Sequence, residues 1–98
     1  MKLELHVYDG DHITPRKLDL LLRLIGTLPL SLVHLTLDVT FFPDQLWQAL
    51  ALTCRRLKHL KVVEIAVDRR RMGRIAKIGV HPAVKWLDDE GILQFYEV

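Results

Sequence analysis

Apolar and polar side chains alternate along four segments of the chain, as they do along a strand with one buried face. The pattern predicts strands over Lys2–Tyr8, Leu32–Thr40, Leu57–Val67 and Ile92–Val98. The third segment is the longest and the richest in valine and isoleucine, which favours a strand covered on both faces. We therefore expect this strand to need cover from the residues that follow it.

The segments between the first three strands carry leucines at the spacing of a helix with one apolar face. The first helix should start at Thr14–Pro15, because threonine can cap free amides and proline suits the first helical position. Its buried face is predicted to comprise Leu18, Leu21, Leu22 and Ile25. Leu20 and Leu24 widen the apolar stripe, which predicts packing on more than one side. A second helix should begin near Pro43–Asp44, where the helix dipole favours a negative charge.

The last third of the chain follows a different pattern. Residues 69–74 are strongly basic and weakly periodic, and Ile75, Ile78 and Val80 after them predict a short helix or an irregular turn. The apolar third strand would leave an open flank, and terminal strands of this kind are covered in stable proteins. We therefore predict that Ile92–Tyr96 adds a parallel strand beside it. Trp86 and Leu87 should close the end of the core, with the basic residues on the solvent side.

A strand–helix unit is repeated along the chain. Alignment of Leu3, Leu35 and Leu60 superposes the segments LELHV, LTLDV and LKVVE. Connections of a dozen or more residues between successive strands favour parallel pairing over hairpins. The sequence therefore predicts an α/β fold, with a parallel sheet of three to four strands and the helices on the other side.

The spacing C-xx-L-xx-L-x-L is followed by Cys54, Leu57, Leu60 and Val62, and without the cysteine by Leu32, Leu35 and Leu37. In this spacing the chain resembles leucine-rich repeats, most closely the cysteine-containing repeats of fungal F-box proteins. The resemblance covers residues 28–67 and does not reach 69–98. It implies a short solenoid that acts in protein–protein interaction without catalysis, as a fragment or relative of an F-box substrate receptor. No F-box segment accompanies the repeats in this sequence.

Composition is compatible with one small domain. Half of the 98 residues are apolar and the formal net charge is +2, which is too small to name a partner. We interpret residues 1–98 as one domain, with repeats over about 1–27, 28–56 and 57–98 and a capping strand at the end. A single cysteine cannot form an internal disulfide, which favours a reducing compartment, cytoplasmic or nuclear. We find no secretory signal and no apolar run long enough for a membrane span.

Candidate catalytic and metal-binding residues are few. Asp9, Asp11 and His12 lie close together in a predicted loop, where a polar turn is the better interpretation. The histidines lack the spacing of a zinc site, and Cys54 occupies a packing position. We therefore predict no catalytic residues, no metal and no cofactor, and rank an enzyme built around this loop as the weakest hypothesis.

Two surfaces are candidates for binding. The first is the strand face that the leucines do not use, with Glu4, Thr36 and Lys61 in one row and His6, Asp38 and Val63 in the next. A protein partner is expected there, and we expect neither a membrane nor a small-molecule substrate. The alternative is a nucleic acid bound through Arg69, Arg70, Arg71, Arg74 and Lys77. No aromatic side chain is interleaved with this basic run, which favours a solvated loop.

Overall fold

The structure, a computed structural model, describes residues 1–7, 15–39 and 43–97. Its strands are β1 (Lys2–Val7), β2 (His34–Val39), β3 (Val62–Val67) and β4 (Leu93–Glu97). Its helices are α1 (Pro15–Gly26), α2 (Asp44–Arg56), α3 (Arg69–Ile78) and α4 (Lys85–Asp89), with a 3₁₀ turn at Pro82–Val84. Alternation of strands and helices defines an α/β protein, as predicted.

The four strands lie in one sheet in the order β1-β2-β3-β4, and every neighbouring pair is parallel. Leu3, Leu35, Val63 and Leu93 stand side by side across the sheet. The prediction that Ile92–Tyr96 would form a parallel strand beside the third strand is confirmed. Since crossovers between parallel strands are almost always right-handed, a sheet ordered in this way carries its helices on one face.

One hydrophobic core fills the space between that face and the helices. The strands supply Leu35 and Leu37 from β2 and Ile65 from β3, all of them almost completely buried. The helices supply Leu21 and Ile25 from α1 and Leu46 and Leu50 from α2. These are the positions that helical spacing brings to one side, so the apolar pattern alone was enough to predict them.

The tail closes the end of this core. Val84 and Leu87 are fully buried, and the half-buried Trp86 packs against the core. The guanidinium of Arg55 lies 5.6 Å from the centre of the Trp86 ring, a cation–π contact. The predicted closure by Trp86 and Leu87 is therefore confirmed, and Val84 takes part in it.

Helix α3 is a regular helix of 10 residues, where the sequence predicted a short helix or an irregular turn. Its first turn is capped by the Asp68 carboxylate, which accepts a hydrogen bond from the Arg71 N–H at 2.7 Å. Arg69, Arg70 and Arg74 are exposed, as predicted, whereas Arg71 is half-buried.

Strand β3 begins at Val62 and not at Leu57 as predicted. Before it, the Leu60 N–H donates to the Leu57 carbonyl at 3.2 Å. Before β2, the Leu32 N–H makes the same turn with the Pro29 carbonyl at 3.1 Å. Leu60 is therefore the counterpart of Leu32, in the turn that leads into the strand.

The predicted alignment of the third unit was consequently wrong by three residues. Val63, and not Leu60, stands beside Leu35. The sequence alignment matched Leu60 with Leu35, because both are leucines. In the structure Leu60 corresponds to Leu32, because both lie in the turn before a strand. Because successive strand residues face opposite sides, a shift by an odd number exchanges the two faces. Val62, expected in the core face, lies on the other side and is half-buried.

The apolar stripe of α1 is narrower in the structure than the sequence predicted. Leu20 and Leu24 are 55% and 51% exposed, so the prediction of packing on more than one side is wrong within the described residues. The reason is position, since α1 lies at the end of the helix layer and contacts α2. No helix in the described ranges is long and apolar enough to cross a membrane.

The position of Leu35 at the centre of the core makes it the sharpest test of the sheet. We expect Leu35→Ala to lower the free energy of unfolding by about 2–5 kcal/mol, because it leaves a cavity in a packed core. The matched control is Leu52→Ala on the outer side of α2, where the leucine is 68% exposed; its cost should stay within about 0.5 kcal/mol. Urea denaturation measures both, and equal losses would contradict the assignment of the core.

Candidate functional site

The face of the sheet away from the helices carries polar side chains in ordered rows. In one row, Glu4 stands beside Thr36, Thr36 beside Glu64, and Glu64 beside Gln94. Neighbouring strands are about 4.8 Å apart, so side chains in a row can contact each other. Thr36 is 6% exposed, because longer side chains flank it. We call this surface the open face; it comprises Lys2, Glu4, His6, His34, Thr36, Asp38, Val62, Glu64, Ala66, Gln94 and Tyr96.

His6 links two carboxylates on the open face. Its Nδ1 lies 3.3 Å from Asp38 Oδ2 on β2, and its Nε2 lies 3.6 Å from Glu4 Oε2 on its own strand. Exposed ion pairs of this kind contribute about 0–1 kcal/mol to stability. The arrangement therefore sets the charge pattern of the surface more than it stabilises the fold.

A second histidine–carboxylate contact links β2 to β3. His34 stands beside Val62, and Glu64 lies two residues further along β3, on the same face. The distance between His34 Nε2 and Glu64 Oε1 is 2.5 Å. This is an electrostatic contact and not an aligned hydrogen bond, since the enclosed Nε2 has no partner of suitable direction. Each histidine of the open face thus lies between strands, against an acidic side chain.

Tyr96 covers the part of the open face nearest the carboxyl ends of the strands. It stands beside Ala66, which is buried although it points away from the core. Burial raises the pKa of the Tyr96 phenol, and the carboxylates of Asp38, Glu64 and Glu4 raise it further. Negative charge near a phenol disfavours its ionised form. The phenol is therefore a hydrogen-bond donor placed among acidic groups.

The structure places four of the six predicted binding residues together. Glu4, His6, Thr36 and Asp38 lie on the open face in the predicted rows. The placement of the other two was wrong. Val63 is fully buried on the helix side. Lys61 precedes β3, where its N–H donates to the Val33 carbonyl at 2.8 Å, so it is not the neighbour of Thr36.

Sequence reasoning missed seven of the eleven residues of the open face, among them His34, Glu64 and Tyr96. Glu64 takes the place predicted for Lys61. One signal could have found it, because a lone charged residue in the apolar segment VVEIAV is best accommodated on a solvent-facing position. The corrected open face carries the carboxylates of Glu4, Asp38 and Glu64 and the ammonium of Lys2.

Side chains that could bind a metal ion are not clustered in the described part of the chain. Residues 1–7, 15–39 and 43–97 contain no group of three histidine, cysteine or acidic side chains that could hold an ion. The loop candidates Asp9, Asp11 and His12 lie outside the described residues. The open face could attract cations through its carboxylates, but it does not gather them around one point.

The basic residues of the alternative site lie on α3, away from the open face. Arg70, Arg74 and Lys77 are exposed and follow helical spacing of four and three residues. Arg69 is also exposed, with its Nε 3.9 Å from Glu97 Oε1. The run thus forms a charged stripe on a helix and not the loop that the sequence favoured.

Comparison of the chain with protein-family models, with curated proteins and with solved structures finds no match. Function is therefore argued from the chemistry of the surfaces. Two structural features bear on it: the acidic open face and the basic stripe on α3.

Cys54 has the environment of a core residue. Burial raises the pKa of its thiol to about 12. The thiolate is the reactive form, so a buried thiol of high pKa is a poor nucleophile.

We expect native Cys54 to react with a disulfide reagent on the order of a thousandfold more slowly than a free thiol at pH 8, because its thiolate is that much scarcer. The control is Lys58→Cys in a Cys54→Ser background, whose exposed thiol should react at the ordinary rate. In denaturant the two rates should converge. The Cys54 thiol ionises near its usual pKa in the unfolded chain and only at higher pH in the folded protein. Ionisation therefore favours unfolding, and the free energy of unfolding should fall as pH rises above about 9. Equal native rates would contradict the burial.

Proposed function

We propose that this chain is a non-enzymatic protein-interaction module that binds its partner through the open face. The observation that carries the proposal is a sheet surface that no helix of residues 15–39 or 43–97 covers, on which charged side chains are held in register by parallel strands. Strands are stiff, so these groups meet a partner with little loss of conformational entropy. We favour recognition over chemistry for this surface, because its polar groups are spread in rows across the strands and do not converge on one point.

The corrected register also supports a short solenoid of the leucine-rich-repeat kind. Leu32, Leu35 and Leu37 of the second unit correspond to Leu60, Val63 and Ile65 of the third, so the spacing L-xx-L-x-L recurs with equivalent turns. In this register Leu57, and not Cys54, takes the position of the repeat's cysteine. A relationship to F-box substrate receptors, as a fragment or relative, accordingly rests on the sequence resemblance.

The charge of the open face favours a basic partner. The open face carries three carboxylates, from the exposed Glu4 and the half-buried Asp38 and Glu64, and one ammonium group from Lys2. Complementary charge accelerates encounter and selects among partners. We therefore propose an extended or helical protein segment that carries lysine or arginine side chains.

A selection from a peptide-display library tests this proposal. Peptides that bind the native protein should be enriched in basic residues. They should bind the charge-reversed variant Glu4→Lys/Glu64→Lys at least about tenfold more weakly, a loss of about 1.4 kcal/mol or more. The control Glu90→Lys changes an exposed acid at the end of α4 and should leave their affinity unchanged. Peptides that bind all three proteins equally would contradict the open face as the binding surface.

A nucleic acid bound by α3 is the second candidate, favoured by the exposed stripe of Arg70, Arg74 and Lys77. Affinity for generic DNA or RNA should then fall with salt, with a slope of about 2–3 in a double-logarithmic plot for three phosphate contacts. Substitution of all three by glutamine should abolish this binding in fluorescence anisotropy. Substitution of the exposed Lys58 and Lys61 by glutamine serves as the control. No salt-dependent binding at low ionic strength would eliminate the candidate.

A further inference from the structure

A cavity of about 450 Å³ lies on the helix side of the sheet, at the carboxyl end of β3. It is bounded by the first turns of α2, by α3 and by the chain that leaves α3 at Gly79. This volume falls within the range of about 300–1,000 Å³ that small-molecule sites occupy. The carboxyl ends of parallel strands are also where open α/β sheets commonly bind ligands.

The walls of the cavity are mostly apolar. Ile65 and Val67 of β3 contribute on one side, Ile75 of α3 on another, and the ring of Trp47 faces them from α2. Trp47 is held by an edge contact with Phe95, with ring centres 6.4 Å apart. Aromatic and aliphatic walls of this kind favour a ligand with an apolar, flat body.

Two guanidinium groups line the same cavity. Arg71 and Arg74 are one helical turn apart on α3, and both contribute to the lining. Guanidinium groups bind carboxylate, sulfonate and phosphate oxygens with two parallel hydrogen bonds. One side of the cavity is therefore suited to an anionic group.

On the opposite wall of the cavity, the negative charge of Asp44 is compensated by a hydrogen bond from His81. The Ala83 N–H donates to His81 Nδ1 at 3.1 Å, so the proton of a neutral ring is on Nε2. That Nε2 lies 3.1 Å from Asp44 Oδ1 and donates to it. The imidazole also stacks on Trp47, with ring centres 5.9 Å apart. Asp44 is thus engaged by a donor, and the exposed Arg74 is the charged group of the lining that an incoming anion would meet.

Helix α3 gives a further indication that the cavity is a binding site. Unlike α1 and α2, it has no fully buried residue. Its apolar residues Met72 and Ile75 are half-buried, and Ile78 is exposed although it lines the cavity. An apolar ligand would cover the side of α3 that the protein's own core leaves uncovered.

We propose that this cavity binds a small organic acid, with its apolar body against Trp47 and Ile65 and its anionic group at Arg74, next to Arg71. The site lies on the other side of the sheet from the open face, so the proposal is independent of the protein-interaction function.

Anilinonaphthalene sulfonate is a suitable probe, because it combines a flat aromatic body with one negative charge and fluoresces in apolar surroundings. The variant Trp86→Phe leaves Trp47 as the single tryptophan. We expect saturable binding of one probe per chain, with energy transfer from Trp47 to the bound probe. Decanoate should displace the probe and decanol should do so at least about tenfold less well, because the alcohol lacks the charge that the arginines bind.

Two arginine variants separate this site from general surface binding. Arg74→Gln should weaken the sulfonate about tenfold and leave the neutral analogue phenylnaphthylamine unchanged. Arg70→Gln, on the same helix but outside the cavity lining, should affect neither probe. Ile75→Trp should fill the cavity and abolish binding of both while circular dichroism shows the native fold.

The proposal is wrong if the two arginine variants weaken the sulfonate equally, or if the charged and neutral probes respond alike to Arg74→Gln. It is also wrong if no energy transfer from Trp47 accompanies binding. Arg70 and Arg74 are exposed on α3, so their substitution by glutamine should leave the fold intact. These two variants therefore test the proposal even if Ile75→Trp does not fold.

Discussion

Parallel pairing in sequence order obliges every crossover of this chain to return on the same side of the sheet. The core can then form on one face alone, where Leu35, Leu37 and Ile65 meet the helices. The opposite face is left to side chains that tolerate water. The acidic open face follows from this constraint because none of the helices described covers it. The cavity follows from it because α3 covers its side of the sheet incompletely.

The sequence predicted the fold well because apolar spacing is a direct record of burial. The leucines of α1 and α2, the order of the strands and the parallel placement of Ile92–Tyr96 all follow from it. The start of β3 does not follow from the apolar spacing, because Leu57 and Leu60 are buried in a turn and not in a strand. The spacing of the leucines does not distinguish a turn from a strand. The hydrogen bond between the Leu60 N–H and the Leu57 carbonyl shows that a turn forms here.

That difference was decisive for the candidate site. A three-residue error placed Lys61 and Val63 on the open face and removed Glu64 from it, so a row expected to run from acid to base is acidic at two positions. The cavity was beyond sequence reasoning for another reason. Its walls join Trp47, Arg74 and His81, which are distant in the chain and become neighbours through packing of the tail against α2.

The two proposed surfaces are joined through a single strand. Glu64 points to the open face and Ile65, the next residue, to the cavity. Any displacement of β3 along its axis would therefore alter both surfaces at once. The sheet separates the polar open face from the apolar cavity, because successive side chains of each strand point to opposite faces.

Tyr96 gives the open face a property that its charges alone would lack. Burial, and after it the carboxylates of Asp38, Glu64 and Glu4, raise the pKa of its phenol, so the ring keeps its proton at neutral pH. Ionised phenols absorb light differently from neutral ones, so the ring carries an optical indicator of the charge around it. An alkaline titration followed by absorbance would therefore report a change in the burial or charge around this residue without a label.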